Sequence, residues 1–517
     1  MFFVPLYLEL LRSRPQLMFW FAALAQAFIW LVVPAVFFFA PPGDLAQLLA
    51  IGHEFRLASG VGPPLAYWLG EIAFRIAGLF GVYLLSQICV VVTYWCVFTF
   101  GRALIGPAHA AIAVLLMIGI ALLTVPTPDF GPPILAMALW AVTLLHYWQA
   151  VVEGNKRSWY VAGAAAALLL LTSDAALVLL GTLVAFTVLT GRGRATLQST
   201  EPWTVAVGLA FFLFLHLLWL DGIADSLVPI LRTLRRAASA GDNTMAWLRI
   251  LISLALAHAG LAILVVLALG WPGSRAAPAP PLQRQPVEAF AGTFVKVMAV
   301  APALLATVIA VVIGRSPIGG SAPLVVLSGL AVVMAAGDSI ALYHQRVLGF
   351  AWTGLLLVPA VFIPLLIFLL PWAAATDLKI SQPARAMGRF FAESFERRTG
   401  QPLAIVTGDP RTAALIALAA PSRPSVLFDA APERSPWVTA DDIRNKGAIV
   451  VWLAADTTPT PPPDIKAYFP DLVPEVPRTF DRPVQGRMAP LRIGWAVIRP
   501  GSVAAAPAST TTAAGSR

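Results

Sequence analysis

The sequence predicts a polytopic α-helical membrane protein of about eleven spans with a small C-terminal α/β extramembrane domain. Three observations carry that expectation. Of the 517 residues, 59% are hydrophobic and 12% charged, whereas a soluble domain carries about 25% charge. Apolar runs recur at lengths near the roughly 20 residues that cross a bilayer. After Trp372 the composition changes to short β-branched runs alternating with helical signals. The chain thus divides into a multi-span domain over 1–372, an α/β domain over 373–500 and a low-complexity tail over 501–517, which is expected to be disordered.

The predicted spans are 18–39, 79–100, 108–125, 133–152, 203–220, 250–270, 293–313, 322–342 and 349–371. Arg12 and Arg14 precede the first, which is expected to be an uncleaved anchor. The run from Trp159 to Thr190 is long for one upright helix, and Thr172-Ser173-Asp174 interrupts it. It reads as two short spans meeting at a polar turn. With the N-terminus inside, the inner loops collect most of the Arg and Lys, as the positive-inside rule requires. Eleven spans then place the C-terminal domain outside, in the periplasm if the cell is Gram-negative.

The net charge is +9. Residues 1–372 hold 18 Lys and Arg against 13 Asp and Glu, and residues 373–517 hold 17 against 13. So even an excess reads as cationic loops beside spans, not as a nucleic-acid surface. Cys89 and Cys96, seven residues apart within one apolar segment, lie on one helix face but too far apart for a disulfide. No zinc spacing, phosphate-cradling glycine loop or nucleophile elbow occurs, so neither metal nor cofactor is expected.

In the C-terminal domain, "LAIVTGD" (403–409), "RPSVLFD" (423–429) and "GAIVVWLA" (447–454) read as strands. "PRTAALIALAA" and "VTADDIRNKG" between them read as helices, the second with Thr439 as N-cap and Gly447 after its end.

The polar groups that need explaining gather in the outer loops. "GDLAQLLAIGHEFRLASGVGPPLAYWLG" (43–70) brings Asp44, His53, Glu54 and Arg56 between two apolar stretches. Asp44 can serve as a general base backed by low-dielectric protein, or as the N-cap of the amphipathic helix it precedes. His53, Glu54 and Arg56 are either solvated surface or substrate contacts. Glu71 and Arg75, spaced i,i+4, read as a helix-face ion pair. Asp129 is the charge of the short, proline-stiffened loop "TVPTPDFGPP", which holds the carboxylate close to the membrane surface and reads as turn chemistry. Asp174 marks the proposed break, where an ionisable group at membrane depth points to function unless it lies at the interface. Arg232, Arg235 and Arg236 share one face of "LVPILRTLRRAASAGDN" and fit lipid phosphates or a plain interfacial helix. Asp338, His344 and Arg346 read as a boundary cluster.

These motifs, in order, resemble the membrane-embedded glycosyltransferases of the GT-C class, in particular the bacterial relatives of protein mannosyltransferases that modify lipopolysaccharide with galacturonic acid or aminoarabinose. That family opens its first outer loop with an acid and places "His-Pro-Pro-Leu" about nineteen residues on. Here Asp44 is followed by Pro63 in "GPPL". "YWLGEIAFRIAGLFGVYLLSQ" is similar to the family's next helix, "TPD" (127–129) to its second outer loop, and "NKRSWYVAGAAAALLLLTSDAALVLL" to its Trp-led span ending in "Leu-Ser-Lys-Tyr". The likeness covers roughly residues 10–190. Gly62 stands where the family has His, Ser173 where it has Lys, and Leu45 where a polar residue often follows the acid.

The resemblance implies a polyprenyl-phosphate sugar donor, a glycolipid or lipopolysaccharide acceptor, membrane lipids as surroundings, and no nucleic acid. It further implies Asp44 as catalytic carboxylate and Asp129 as a second acid bordering the same cavity, with the chain in the bacterial inner membrane. His53, Glu54, Arg56, Asp174, Arg232, Arg235 and Arg236 are the expected substrate contacts, the arginines standing in for the missing lysine. A transporter or flippase for a lipid-linked or anionic substrate, and a non-catalytic scaffold of the same fold, are the competing readings.

Overall fold

The computed structural model of the chain describes residues 9–56, 62–125, 129–221, 243–269, 284–313, 316, 320–337, 345–376, 378–430, 435–458 and 460–501. The chain forms two compact units. The first comprises Met1–Ala35 with Phe80–Phe362, the second Val36–Leu79 with Ile363–Arg517.

Among the described residues the predicted apolar runs are largely helical. Among the described residues six helices are long and apolar enough to cross a membrane: Pro15–Phe37, Leu65–Ile105, Pro132–Val151, Met245–Ala268, Ala289–Val312 and Val347–Ala373. Shorter apolar helices fill the remaining predicted positions, among them Pro107–Met117, Ala175–Leu189 and Glu201–His216. The 159–190 stretch breaks as expected: one helix ends at Leu170, another starts at Ala175, and Thr172-Ser173-Asp174 lies between them. Some predicted spans are interrupted, the 250–270 run briefly at His258. The 108–125 run ends as a helix at Met117 and resumes as a single turn over Ala121–Thr124, and the 322–342 run opens as a 3-10 turn before Ser328–Ala336. Asp338 and His344 lie outside the described residues.

The interior of this unit is aromatic. Phe294 lies 5.2 Å from both Trp148 and Phe186 and 5.9 Å from Tyr147, ring centroid to centroid. Gln26 is one buried polar group that finds its partners within the unit, as hydrocarbon surroundings favour. Gln26 donates to the Leu123 carbonyl at 2.7 Å and accepts from the Tyr94 hydroxyl at 2.9 Å. Cys89 and Cys96 are free and buried, behaving as small hydrophobes.

Helix Leu65–Ile105 is kinked at Ala77 and Gly78. Gly78 has φ +61°, a conformation that glycine adopts without a Cβ clash. The predicted span started at 79. Its helical extension back to Leu65 belongs to the second unit.

That second unit holds a five-stranded mixed sheet: β1 Ile405–Gly408, β2 Ser425–Phe428, β3 Ala448–Leu453, β4 Pro474–Phe480 and β5 Leu491–Ile498, in the order β2-β1-β3-β5-β4. β1 runs parallel to β2 and β3, and β5 is antiparallel to β3 and β4. The first three strands are the predicted ones. β4 and β5 are additional, with β4 at the edge, where a register shift between Glu475 and Arg478 accommodates Pro477, since proline cannot donate to a ladder. The helix Ala384–Thr399 buries Met387, Phe391 and Phe395 at i,i+4 spacing and stops at Gly400 in the left-handed conformation. Its Phe391 lies 5.7 Å from Trp495 of β5.

The expected cap at Thr439 is a full capping box, its hydroxyl accepting from the Asp442 N–H while the Asp442 carboxylate accepts from the Thr439 N–H. Hydrogen bonds from Lys446 and then Thr439 hold the Asp442 carboxyl down at about 2. Because the folded value is depressed, this contribution is present above the ordinary aspartate range and is lost as pH falls through about 2. Thr439→Ala is expected to cost about 1 kcal/mol at neutral pH. Hydrogen exchange of amides 440–447 in the full chain would read it, and unchanged protection there would refute it.

Candidate functional site

Residues 36–79 bring the predicted loop into the second unit, and its small helix is built into that unit's core. In Leu45–His53 the residues Ala46, Ala50 and Ile51 are buried in one cluster with Phe391, Val406 and Ile416. Gly52 packs so closely on the helix that follows that a Cβ there would lie 2.3 Å from the Tyr67 carbonyl oxygen. The loop is therefore a packed ledge. Burial of its apolar face, rather than a cap, keeps this nine-residue helix formed.

Asp44 stands at the N-cap position of this helix but makes no side-chain capping bond. Its carboxylate is exposed, while its backbone carbonyl accepts the first helical bond, from the Leu48 N–H at 2.9 Å. The two sequence readings thus separate: the position is a cap, and the carboxylate is left available for other chemistry. Before it, the Phe39 and Ala40 N–H groups both donate to the Ile380 carbonyl, at 3.0 and 2.9 Å. Pro41 and Pro42 are buried.

At the other end of the helix His53 Nδ1 lies 3.3 Å from Glu71 Oε1. Glu54 is half-buried at the C-cap, and Arg56 is exposed. The Glu71–Arg75 pair exists, at 2.9 Å, but the expectation of an ordinary helix-face pair is corrected. Glu71 is 1% exposed and also takes Arg423 Nη2 at 2.7 Å on its second oxygen. The His53 imidazole from the loop helix and two guanidinium groups, Arg75 of its own helix and Arg423 of the α/β sequence, converge on one buried carboxylate, because such a charge must be paired when removed from water. Arg423 additionally stacks 4.6 Å over the Phe74 ring. Burial lowers the affinity of its guanidinium for the proton, the Glu71 charge opposing that drift. Arginine stays charged throughout.

In the first unit, Asp129 is half-buried shortly before the Pro132–Val151 helix. Asp174 occupies the N-cap position of Ala175–Leu189, again without a capping bond. Its carboxylate meets His216 Nε2 at 3.3 Å, and His216, fully buried, places Nδ1 2.7 Å from the Leu170 carbonyl oxygen. His216 was missed in the sequence. The available signal was an ionisable residue inside "FLFLHLLWL", which by position alone merits a partner. Arg232, Arg235 and Arg236 lie outside the described residues. Among the described residues no three His, Cys, Asp or Glu side chains gather to hold a metal ion.

The structure thus joins Asp44, His53 and Glu54 on one short helix with its flanks, ties His53 to Glu71 and Arg423, and pairs Asp174 with His216. A family model described as dolichyl-phosphate-mannose-protein mannosyltransferase matches residues 61–219. No curated protein sequence matches the chain. Among solved structures the chain is similar to that of ArnT from Cupriavidus metallidurans bound to undecaprenyl phosphate, with a TM-score of 0.52 at 12% identity, covering 95% of this chain and 99% of that one. Signature and fold bear out the resemblance read in the sequence: the chain has the fold of a GT-C membrane glycosyltransferase and carries the mannosyltransferase family's signature across residues 61–219.

Proposed function

We propose that this protein transfers a sugar from a polyprenyl-phosphate-linked donor to an acceptor hydroxyl, on lipopolysaccharide or another glycolipid, at the outer face of the bacterial inner membrane. One observation carries the proposal beyond the fold: Asp44, at the head of a packed helix, holds its carboxylate exposed and out of the capping bond its position would offer. A general base needs that availability together with a rigid mount.

In the proposed reaction Asp44 takes the proton of the acceptor hydroxyl as its oxygen attacks the anomeric carbon. The bond from that carbon to the donor phosphate breaks, and the electron pair leaves with the polyprenyl phosphate. Negative charge grows on the departing phosphate and needs cationic stabilisation, which we assign to Arg232, Arg235 and Arg236. Asp129 is proposed as a second acid bordering the same cavity, and His53, Glu54, Arg56 and Asp174 as substrate contacts. The undecaprenyl phosphate bound to ArnT supports the donor class. The inclusion of Val36–Leu79 and the sheet in one compact unit supports an outer, periplasmic position for the C-terminal domain once the first loop is outside.

A transporter reading draws on the Asp174–His216 pair, an ionisable pair inside an apolar unit. Mass spectrometry of envelope lipids and glycans from wild type and a deletion strain separates the two. Loss of one sugar in the deletion, with the donor lipid accumulating, is the result expected for a transferase. An envelope with every sugar retained would remove the proposal.

A further inference from the structure

We propose that Arg411, in the C-terminal α/β sequence, is a positioning residue for Asp44. The inference rests on the reading of Asp44 as the base. It starts from the five residues that lead into the carboxylate, Phe39 to Gly43. Prolines at 41 and 42 fix φ there, and the Ile380 carbonyl holds the N–H groups of Phe39 and Ala40. The soft joint left is Gly43, which has φ +50° and immediately precedes Asp44.

Arg411 closes that joint. It sits in the first turn of the helix Pro410–Ala419, whose Asp409 cap accepts from the Thr412 N–H at 2.9 Å. Its Nη1 donates to the Gly43 carbonyl. Nη2 donates to the Lys379 carbonyl at 3.1 Å and lies 3.5 Å from the Pro41 carbonyl oxygen, while Nε donates to Gln382 Oε1 at 3.3 Å. One guanidinium therefore ties the 41–43 turn to the 379–382 segment.

The Gly43 carbonyl and the Asp44 N–H belong to one planar peptide group. Fixing the carbonyl fixes the plane from which the Asp44 Cα departs, and with it the direction open to the carboxylate. Lysine cannot replace this arrangement. Its ammonium is a point donor on a flexible stem, whereas the contacts here leave from separate nitrogens of a rigid fork. The α/β sequence thereby acquires a role in the reaction: it supplies the clamp that aims the base.

The test uses the full-length protein in nanodiscs, assayed with lipid extract of the deletion strain, which carries donor and acceptor, titrated to saturation. Arg411→Ala and Arg411→Lys are expected to lower the saturating rate by about 10- to 100-fold, the scale of a base displaced by about 1 Å, with half-saturation changed less than about twofold. Hydrogen exchange should rise in amides 39–50 while β1–β3 stay protected. A saturating rate within about twofold of wild type in Arg411→Ala overturns the proposal, as does full rescue by Arg411→Lys, which keeps charge and stem even where the alanine variant fails to fold. An Asp44→Asn protein with wild-type turnover removes the base assignment itself. That outcome is distinguishable, because the exchange result at 39–50 stands independently of turnover.

Discussion

Sugar transfer by an Asp44→Asn protein is expected to fall by about 10²- to 10⁴-fold, the usual contribution of a positioned general base. Asparagine keeps the size of the side chain and its capacity to accept a hydrogen bond, but cannot take the acceptor proton. Since the Asp44 side chain makes no capping bond, the helix Leu45–His53 should survive the change. Its stability comes from Ala46, Ala50 and Ile51 in the core. The measurement is the amount of transferred sugar in the envelope at equal protein level, with the thermal midpoint of the purified protein beside it. A large fall in transfer with an unchanged midpoint is the prediction. Restoration of the full sugar level by Asp44→Asn would reduce the residue to a helix terminus.

The second large effect concerns stability. Arg423→Ala should destabilise the second unit by about 3 kcal/mol, the low end of the cost of breaking a buried ion pair. Low-end, because Arg423 is 20% exposed and His53 and Arg75 remain beside Glu71. The change leaves Glu71, at 1% exposure, short of its partner at 2.7 Å and removes the stacking on Phe74. Arg423→Met with Glu71→Met should recover much of the loss, since the desolvation penalty of the carboxylate disappears with it. Thermal unfolding of the purified full-length protein, followed by exchange at amides 65–77, reads both variants. If the single variant melts with wild type, the convergence on Glu71 is a surface arrangement of little energetic weight. If the double variant is as unstable as the single, packing rather than charge governs this contact.

These two residues also mark how far the sequence could be read. Asp44 was legible because its neighbourhood is local: a Pro-Pro-Gly turn, an acid, then an amphipathic run. Glu71 was legible as a member of an i,i+4 pair and illegible as a buried centre. His53 lies 18 positions away and Arg423 lies 352 positions away, and no periodicity spans such separations. The break at Thr172-Ser173-Asp174 could be found because polar residues inside an apolar run have few placements. Its partner His216 could not be assigned, because pairing across helices depends on how they pack. β1 to β3 announced themselves as apolar β-branched runs. β4 did not: Pro474, Glu475, Pro477 and Arg478 give it the composition of a loop, and it becomes a strand only because β5 offers an edge to pair with.

Local chemistry alone determined that this chain lives in a membrane, where its apolar runs lie and which acid heads the first loop. Hydrophobic length, capping and turn residues act over a few positions, so those features are written in consecutive residues. Tertiary structure alone decided that residues 36–79 join the sheet in one compact unit, that Glu71 is buried among His53, Arg75 and Arg423, and that Arg411 reaches the carbonyl before Asp44. Each of those outcomes follows from burying charge and backbone polar groups from distant parts of the chain together, and a buried group takes whatever partner the fold brings within hydrogen-bond reach.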